Sequence, residues 1–147
     1  MTMTYQHDDG GRAAAGFRGQ TGDCVTRAIA IAAELPYAEI YAALNEAALR
    51  ERPRAGRRKR SSARTGVQIP TIRRYLASIG WRWVPTMQIG SGCKVHLRAD
   101  ELPSGLLIVS VSRHVVAVID GVVHDTHDPT RDGTRCVYGY YTREPVR

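Results

Sequence analysis

Three residues of this chain could together activate a thiol: Cys24, His114 and Asp125. Cys24 stands where the polar run 20–23 gives way to an apolar stretch. A helix that begins there would present unpaired N–H groups and a partial positive charge to the sulfur. Both favour a thiolate over a thiol, so the position predicts a reactive cysteine.

His114 and Asp125 lie in a predicted β-hairpin whose turn is Asp120-Gly121. With a two-residue turn, Asp125 falls diagonal to His114 on the same face of the hairpin, with Cβ atoms roughly 5–8 Å apart. A bulge of one residue would put Asp128 in its place. We prefer Asp125 as the acid that orients the His114 ring.

These residues fit the parts of a cysteine-dependent acyl transfer. Cys24 would attack a carbonyl, His114 would carry the proton, and Asp125 would orient His114. Gln20, four residues before Cys24, is close enough to place its amide at the developing oxyanion. The backbone N–H of Cys24 would be the second oxyanion donor.

Two charged residues flank the proposed nucleophile. Asp23 directly precedes Cys24 and is the expected N-cap of the helix, since its carboxylate can accept an N–H of the first turn. Arg27 follows Cys24 by one turn and is expected to form a structural ion pair with Asp23 or Glu34.

The order Cys, His, Asp resembles that of the papain-like cysteine peptidase superfamily, with a layout similar to small leader-processing members and to phage or prophage proteins of unassigned function. The residues that carry the resemblance are Gln20 and Cys24 at a helix start, then His114 and Asp125 on adjacent strands. It implies a cysteine hydrolase of peptidase or isopeptidase type, with a peptide or protein substrate. Leader-processing enzymes often carry the acid in an Asp-Pro pair, which keeps Asp128 open beside Asp125.

The element pattern indicates an α+β class, with helices first and an antiparallel sheet second, in a single domain over residues 1–147. The resemblance implies that the nucleophile starts a central helix packed on that sheet. The Gly-rich, polar stretch 1–19 is expected to be flexible. Apolar periodicity and turn residues predict helices at Cys24–Glu34, Pro36–Arg50 and Pro70–Ser78, and strands at Trp81–Val84, Leu106–Val111, His114–Ile119, Val122–Asp125 and Arg135–Tyr141.

The net charge of +7 comes from one segment of the chain. Without its basic residues the chain has 14 basic and 14 acidic residues, so no basic surface is expected elsewhere. With Pro, Gly, Ser and like charges, residues 52–65 are expected to form a solvated, mobile loop. The basic residues of this segment are Arg52, Arg54, Arg57, Arg58, Lys59, Arg60 and Arg64.

This basic segment supports an alternative function. Its most concentrated charges, Arg57, Arg58, Lys59 and Arg60, are candidates for contact with a substrate, nucleic acid or an acidic protein partner, through residues 52–64. The alternative to a hydrolase is therefore a catalytically silent papain-like protein that binds nucleic acid or a host factor.

Other classes find less support in the sequence. No apolar run approaches the roughly 18 residues of a membrane-spanning helix, so no membrane partner is expected. Three cysteines, an odd number, argue against a disulfide framework and favour reduced thiols. We therefore expect a cytoplasmic protein, in the cytoplasm of a bacterial host cell if the chain is phage-encoded.

We expect no cofactor or metal. A structural zinc site is the one metal-binding alternative that the sequence offers. Its four ligands would be Cys93, His96, His124 and His127. The spacing disfavours this set, because His124 and His127 would point to opposite faces of one strand.

Overall fold

The computed structural model describes residues 3–19, 21–52, 59–88 and 90–143. Over these residues the chain is α+β, with three helices and a six-stranded sheet. The helices are α1 (Cys24–Ala33), α2 (Tyr37–Ala48) and α3 (Ile69–Ser78), and the strands are β1 (Thr4–His7), β2 (Trp81–Pro85), β3 (Leu106–Val111), β4 (His114–Ile119), β5 (Val122–Asp125) and β6 (Val137–Arg143). None of the helices described is long and apolar enough to cross a membrane.

The sheet is mixed and has the strand order β1-β5-β4-β3-β6-β2. Neighbouring strands are antiparallel except β1, which runs parallel to β5. The expectation of an antiparallel sheet is therefore wrong, since residues 4–7 add a parallel edge strand. The flexibility expected of residues 1–19 stays a prediction. Burial of Met3, which is 5% exposed, and backbone hydrogen bonds to β5 hold this strand in place.

Both faces of the sheet are covered, because its central strands are apolar on both sides. On one face the helices build a core around fully buried side chains such as Ile29 in α1 and Leu44 in α2, against Ile108 of β3. On the other face, Leu97 from the segment between β2 and β3 packs with Val109 of β3. Helix α1 lies over β4, so its N-terminus is positioned relative to the first residue of that strand.

The end of the basic segment is packed against the helices. The Glu51 carboxylate is buried and accepts the Ser61 N–H at 2.8 Å, together with the hydroxyls of Ser61 and Thr71. The Thr26 hydroxyl of α1 donates to the carbonyl of Ala63 at 2.6 Å. These hydrogen bonds join Ala63 to α1 and connect Ser61, through Glu51, to α3, while the mobility expected of residues 52–65 stays a prediction.

A disulfide joins Cys93 to Cys136, with Cα atoms 5.8 Å apart. The expectation that all thiols are reduced is therefore wrong, although Cys24 is free. Backbone hydrogen bonds place the two partners side by side: the N–H of Val137 donates to Val95 at 2.8 Å on this stretch. Three cysteines can form one disulfide, and the neighbouring backbone hydrogen bonds determine that Cys93 and Cys136 form it.

Candidate active site

Three structural endpoints meet at one end of the sheet. Helix α1 begins at Cys24, β4 begins at His114, and β5 ends at Asp125. The turn before β4 reverses the chain at Arg113, whose φ of 56° lies in the left-handed region. Because α1 lies over β4, the first turn of the helix stands close to the first residue of the strand.

The predicted register of the β4–β5 hairpin is confirmed. Val118 pairs with Val123, which brings the end of β5 beside the start of β4. As a result, Nε2 of His114 lies 2.6 Å from Oδ2 of Asp125. Asp128 contacts its own loop instead, accepting the N–H of Thr130 at 2.9 Å and its hydroxyl at 2.7 Å. The acid that orients His114 is therefore Asp125.

Cys24 and His114 interact as a thiol–imidazole pair. Since Nε2 of His114 faces Asp125, Nδ1 is the nitrogen left for the sulfur. Burial alone would lower the pKa of His114, but its hydrogen bonds with Asp125 and Cys24 outweigh burial and raise that pKa to about 9. Burial would raise the pKa of the Cys24 thiol, yet the hydrogen bond and charge of His114, with the N–H of Val115, hold it below its ordinary value. Both shifts favour the thiolate–imidazolium form of the pair.

Asp125 is buried, at 3% exposure, and each oxygen of its carboxylate accepts hydrogen bonds. Oδ2 accepts from His114, while Oδ1 accepts the Thr126 N–H at 2.7 Å and the Arg27 guanidinium at 3.2 Å. Burial would raise the pKa of Asp125, but these hydrogen bonds and the two cations hold it below its ordinary value. Asp125 is therefore an acceptor for His114 at neutral pH.

Arg27 links Asp125 to a second buried carboxylate, that of Asp23. The predicted ion pair between Arg27 and Asp23 is present, one helical turn apart. Asp23 stands at the N-cap of α1 without making the expected side-chain cap hydrogen bond. Its carboxylate accepts the Tyr37 hydroxyl at 2.6 Å and the Thr21 hydroxyl at 2.8 Å instead. Sequence reasoning did not anticipate the contact of Arg27 with Asp125.

A cleft of about 550 Å³ opens over the Cys24–His114 pair. Its apolar side carries two of the most exposed large hydrophobic side chains among the described residues, Ile69 at 61% and Tyr138 at 40%. Arg113 and His127 also line it. A cleft of this size, lined by both apolar and polar side chains, is typical of sites that bind small molecules or side chains.

The remaining candidate residues are Gln20 and four residues of the basic segment. Gln20, Arg57 and Arg58 are outside the described residues, so the structure says nothing of their roles. Lys59 and Arg60 are exposed and are not among the residues that line the cleft.

The zinc ligands weighed from the sequence are not brought together. Cys93 is in the disulfide, His96 contacts Glu101 at 3.1 Å, and His124 faces Asp8 at 3.5 Å. In the described part of the chain they therefore form no common site.

His127 is a further neighbour of the site, as expected from a hairpin register that pairs it with His114. Its ring centre lies 5.2 Å from that of His114, and potential ligand atoms of His114, Asp125 and His127 fall within 4.8 Å of one another. The guanidinium of Arg27 already occupies Oδ1 of Asp125, and its positive charge disfavours a metal ion there.

Comparisons of the chain with family models, with curated proteins and with solved structures find no match. What the site does must therefore follow from its own geometry and chemistry.

Proposed function

We propose that this chain is a papain-like cysteine hydrolase of peptidase or isopeptidase type. One observation carries the proposal: His114 lies between the Cys24 thiol and the Asp125 carboxylate at the floor of an open cleft. A nucleophile, a base and an orienting group in this order form the arrangement that activates a thiol for attack on a carbonyl. The helix start beneath the sulfur, as in the papain-like superfamily, adds to the support.

The chemistry follows from the ion pair. The thiolate of Cys24 forms a bond to the substrate carbonyl carbon, and the C–N bond breaks as the imidazolium of His114 gives its proton to the leaving amine. Neutral His114 then takes a proton from water, which attacks the thioester and releases the acid and the thiolate. The N–H groups at the start of α1 can stabilise the oxyanion in both steps.

The cleft favours a peptide-like substrate with an apolar side chain near the reacting bond. Ile69 and Tyr138 leave apolar surface open to solvent beside the nucleophile. Covering such surface would contribute about 25 cal/mol per Å² to binding.

Acylation by p-nitrophenyl acetate tests this function without knowledge of the natural substrate. We expect intact-mass spectra to show a thioester on Cys24 that forms and is then hydrolysed, with repeated release of nitrophenol. His114→Ala should slow both steps by about 100-fold or more, because proton transfer typically contributes that much. The control is Cys24→Ala, which should form no adduct. A thioester that persists unhydrolysed in the wild-type chain would contradict a hydrolase.

The basic segment supports the second candidate function, binding of nucleic acid or an acidic host factor. Arg57, Arg58, Lys59 and Arg60 stand together in the sequence, and no acid lies between residues 52 and 64. Phosphate contacts of this kind weaken steeply with salt. Binding of a DNA or RNA duplex measured across salt concentrations, with these four residues changed to Gln as the comparison, separates this function from the hydrolase.

A further inference from the structure

We propose that Arg27 is a positioning residue, which fixes the Asp125 carboxylate and holds it in register with Cys24. This inference rests on the proposed hydrolase function. It assigns a role in the reaction to a buried ion pair that a helix-packing role alone would also explain, so the experiment must separate the two.

The guanidinium of Arg27 holds two carboxylates at once. One terminal nitrogen contacts Oδ1 of Asp125 at 3.2 Å, and the other contacts Oδ1 of Asp23. Arg27 lies three residues after Cys24 on α1, so both face the same end of the sheet, about 4.5 Å apart along the helix axis. The helix that carries the nucleophile is thereby tied directly to the strand end that carries the acid.

This contact determines which oxygen of Asp125 faces His114. The carboxylate belongs to the last residue of β5, whose backbone pairs with His7 of β1 while its side chain is fixed by other contacts. Thr126 N–H and Arg27 both bind Oδ1, which leaves Oδ2 directed at Nε2 of His114. Without Arg27, Oδ1 would keep the Thr126 N–H at hydrogen-bond distance, with Nδ1 of His127 4.0 Å away, to fix the carboxylate and, through it, the imidazole ring.

Arg27 is itself held in place by Asp23, on the side away from Asp125. Asp23 is 1% exposed and is fixed by the hydroxyls of Tyr37 and Thr21, so the guanidinium has a rigid anchor. A series of charged groups with alternating sign runs from Arg12 to the sulfur of Cys24, and each group contacts the next. In order they are Arg12, Asp23, Arg27, Asp125, His114 and Cys24, which sum to zero when the last two form an ion pair.

Two variants probe the role of Arg27 while keeping the site's charge balanced. Arg27→Lys keeps the positive charge but loses the planar fork that serves both carboxylates. The double variant Arg27→Met with Asp23→Asn removes one positive and one negative charge together, which avoids leaving an unpaired buried carboxylate beside the substitution. Arg50→Gln is the control, because it removes an exposed arginine from its i,i+4 pair with Glu46.

The readout is the rate of Cys24 alkylation by iodoacetamide as a function of pH, on variants shown by circular dichroism to be folded. We expect both Arg27 variants to move the rise of the rate to higher pH and to lower the rate at pH 7 by roughly 3- to 10-fold, since one pKa unit is a tenfold change in thiolate. Turnover of p-nitrophenyl acetate should fall with it, and Arg50→Gln should change neither. A structural role alone predicts lower thermal stability with an unshifted pH profile, and that result overturns the inference.

The same data separate this inference from the proposed function. If wild-type Cys24 titrates like a free thiol, the proposed hydrolase fails. If wild type is shifted and both folded Arg27 variants share its profile, only the positioning role of Arg27 fails. Should the Lys variant not fold, the double variant decides between these outcomes.

Discussion

At the scale of single residues, the site depends on how one carboxylate distributes its two oxygens. Oδ1 of Asp125 must accept from Thr126 and Arg27, which are both donors. Only Oδ2 is left for His114. The orientation of the imidazole ring is therefore decided by contacts on the far side of the carboxylate.

An asparagine at position 125 should reverse this arrangement. In Asp125→Asn the amide oxygen must face the donors on Thr126 and Arg27, so the amide nitrogen would face Nε2 of His114 and favour the wrong tautomer. We expect turnover of p-nitrophenyl acetate to fall by about 100-fold or more, as such tautomer changes do elsewhere. The measurement is the steady-state rate at neutral pH.

The matched control is Asp128→Asn. Its carboxylate binds Thr130 in its own loop, so we expect the rate to stay within about twofold of wild type. If Asp128→Asn abolishes turnover and Asp125→Asn does not, Asp125 is not the orienting acid.

Sequence reasoning could reach Cys24, His114 and Asp125 because local rules place each of them. A helix start, a strand start and a hairpin register are all short-range features. The contact of Arg27 with Asp125 depends on how α1 crosses the end of β5, 98 residues later in the chain. No local pattern encodes that angle, so the sequence predicted only an ion pair of Arg27 with Asp23 or Glu34.

At the scale of elements, the Glu51 carboxylate connects Ser61 of the basic segment to helix α3. Glu51 follows α2 and accepts hydrogen bonds from Ser61 and from Thr71 in α3. Burial would raise the pKa of Glu51, but these donors hold it below its ordinary value. The stabilisation is therefore present above the unfolded pKa and is lost as pH falls through the folded one.

Replacing Glu51 should loosen this connection. We expect Glu51→Ala to lower the free energy of unfolding by about 2–4 kcal/mol at pH 7, because it leaves buried donors without an acceptor. The difference from wild type should shrink in acid, where Glu51 is protonated. Urea unfolding at several pH values measures it.

Glu46→Ala is the control for this change, since Glu46 forms an exposed pair with Arg50. We expect it to cost less than about 1 kcal/mol. Equal effects of the two substitutions would mean that the Glu51 hydrogen bonds do not hold the segment.

The helices and five of the strands follow the periodicity of the sequence, with boundaries that coincide or differ by one or two residues. Strand β1 was not predicted from this periodicity, because Thr4–His7 is short, mostly polar and largely exposed. Its partner is a strand more than a hundred residues away, and its pairing is parallel. Neither the distant partner nor the parallel direction can be predicted from the local sequence pattern.

At the scale of the whole molecule, the disulfide closes a loop between the region before β3 and the start of β6. Cys93 and Cys136 are 43 residues apart, and between them lie β3, β4 and β5. Restricting the unfolded chain in this way stabilises the folded state. Disulfides persist most readily in oxidising compartments, and the cytoplasmic location expected from the cysteine count stays a prediction.

Removing this bond should destabilise the fold without touching the site. We expect the Cys93→Ser, Cys136→Ser double variant to lose about 3–4 kcal/mol of unfolding free energy, on loop-closure entropy. Urea unfolding of wild type with and without dithiothreitol should show the same loss. The control is Cys24→Ser, which should keep its sensitivity to dithiothreitol. Identical curves for wild type with and without reductant would mean that the bond contributes nothing to stability.

The most direct test of the central claim, that His114 activates Cys24, is the pH dependence of Cys24 alkylation in wild type and in His114→Ala. Raised to about 9, the pKa of His114 keeps the imidazolium present through neutral pH, while the pKa of Cys24 is lowered. Wild-type alkylation should therefore rise below the roughly 8.5 of a free thiol and change again near pH 9, as the pair loses its second proton.

In His114→Ala, burial of the sulfur is no longer opposed by the imidazolium, so we expect one step at or above the free-thiol value and a rate at pH 7 lower by about tenfold or more. Peptide mapping confirms that Cys24 is the labelled residue. If the wild-type and His114→Ala profiles coincide, Cys24 is a passive cysteine and the proposed hydrolase is wrong.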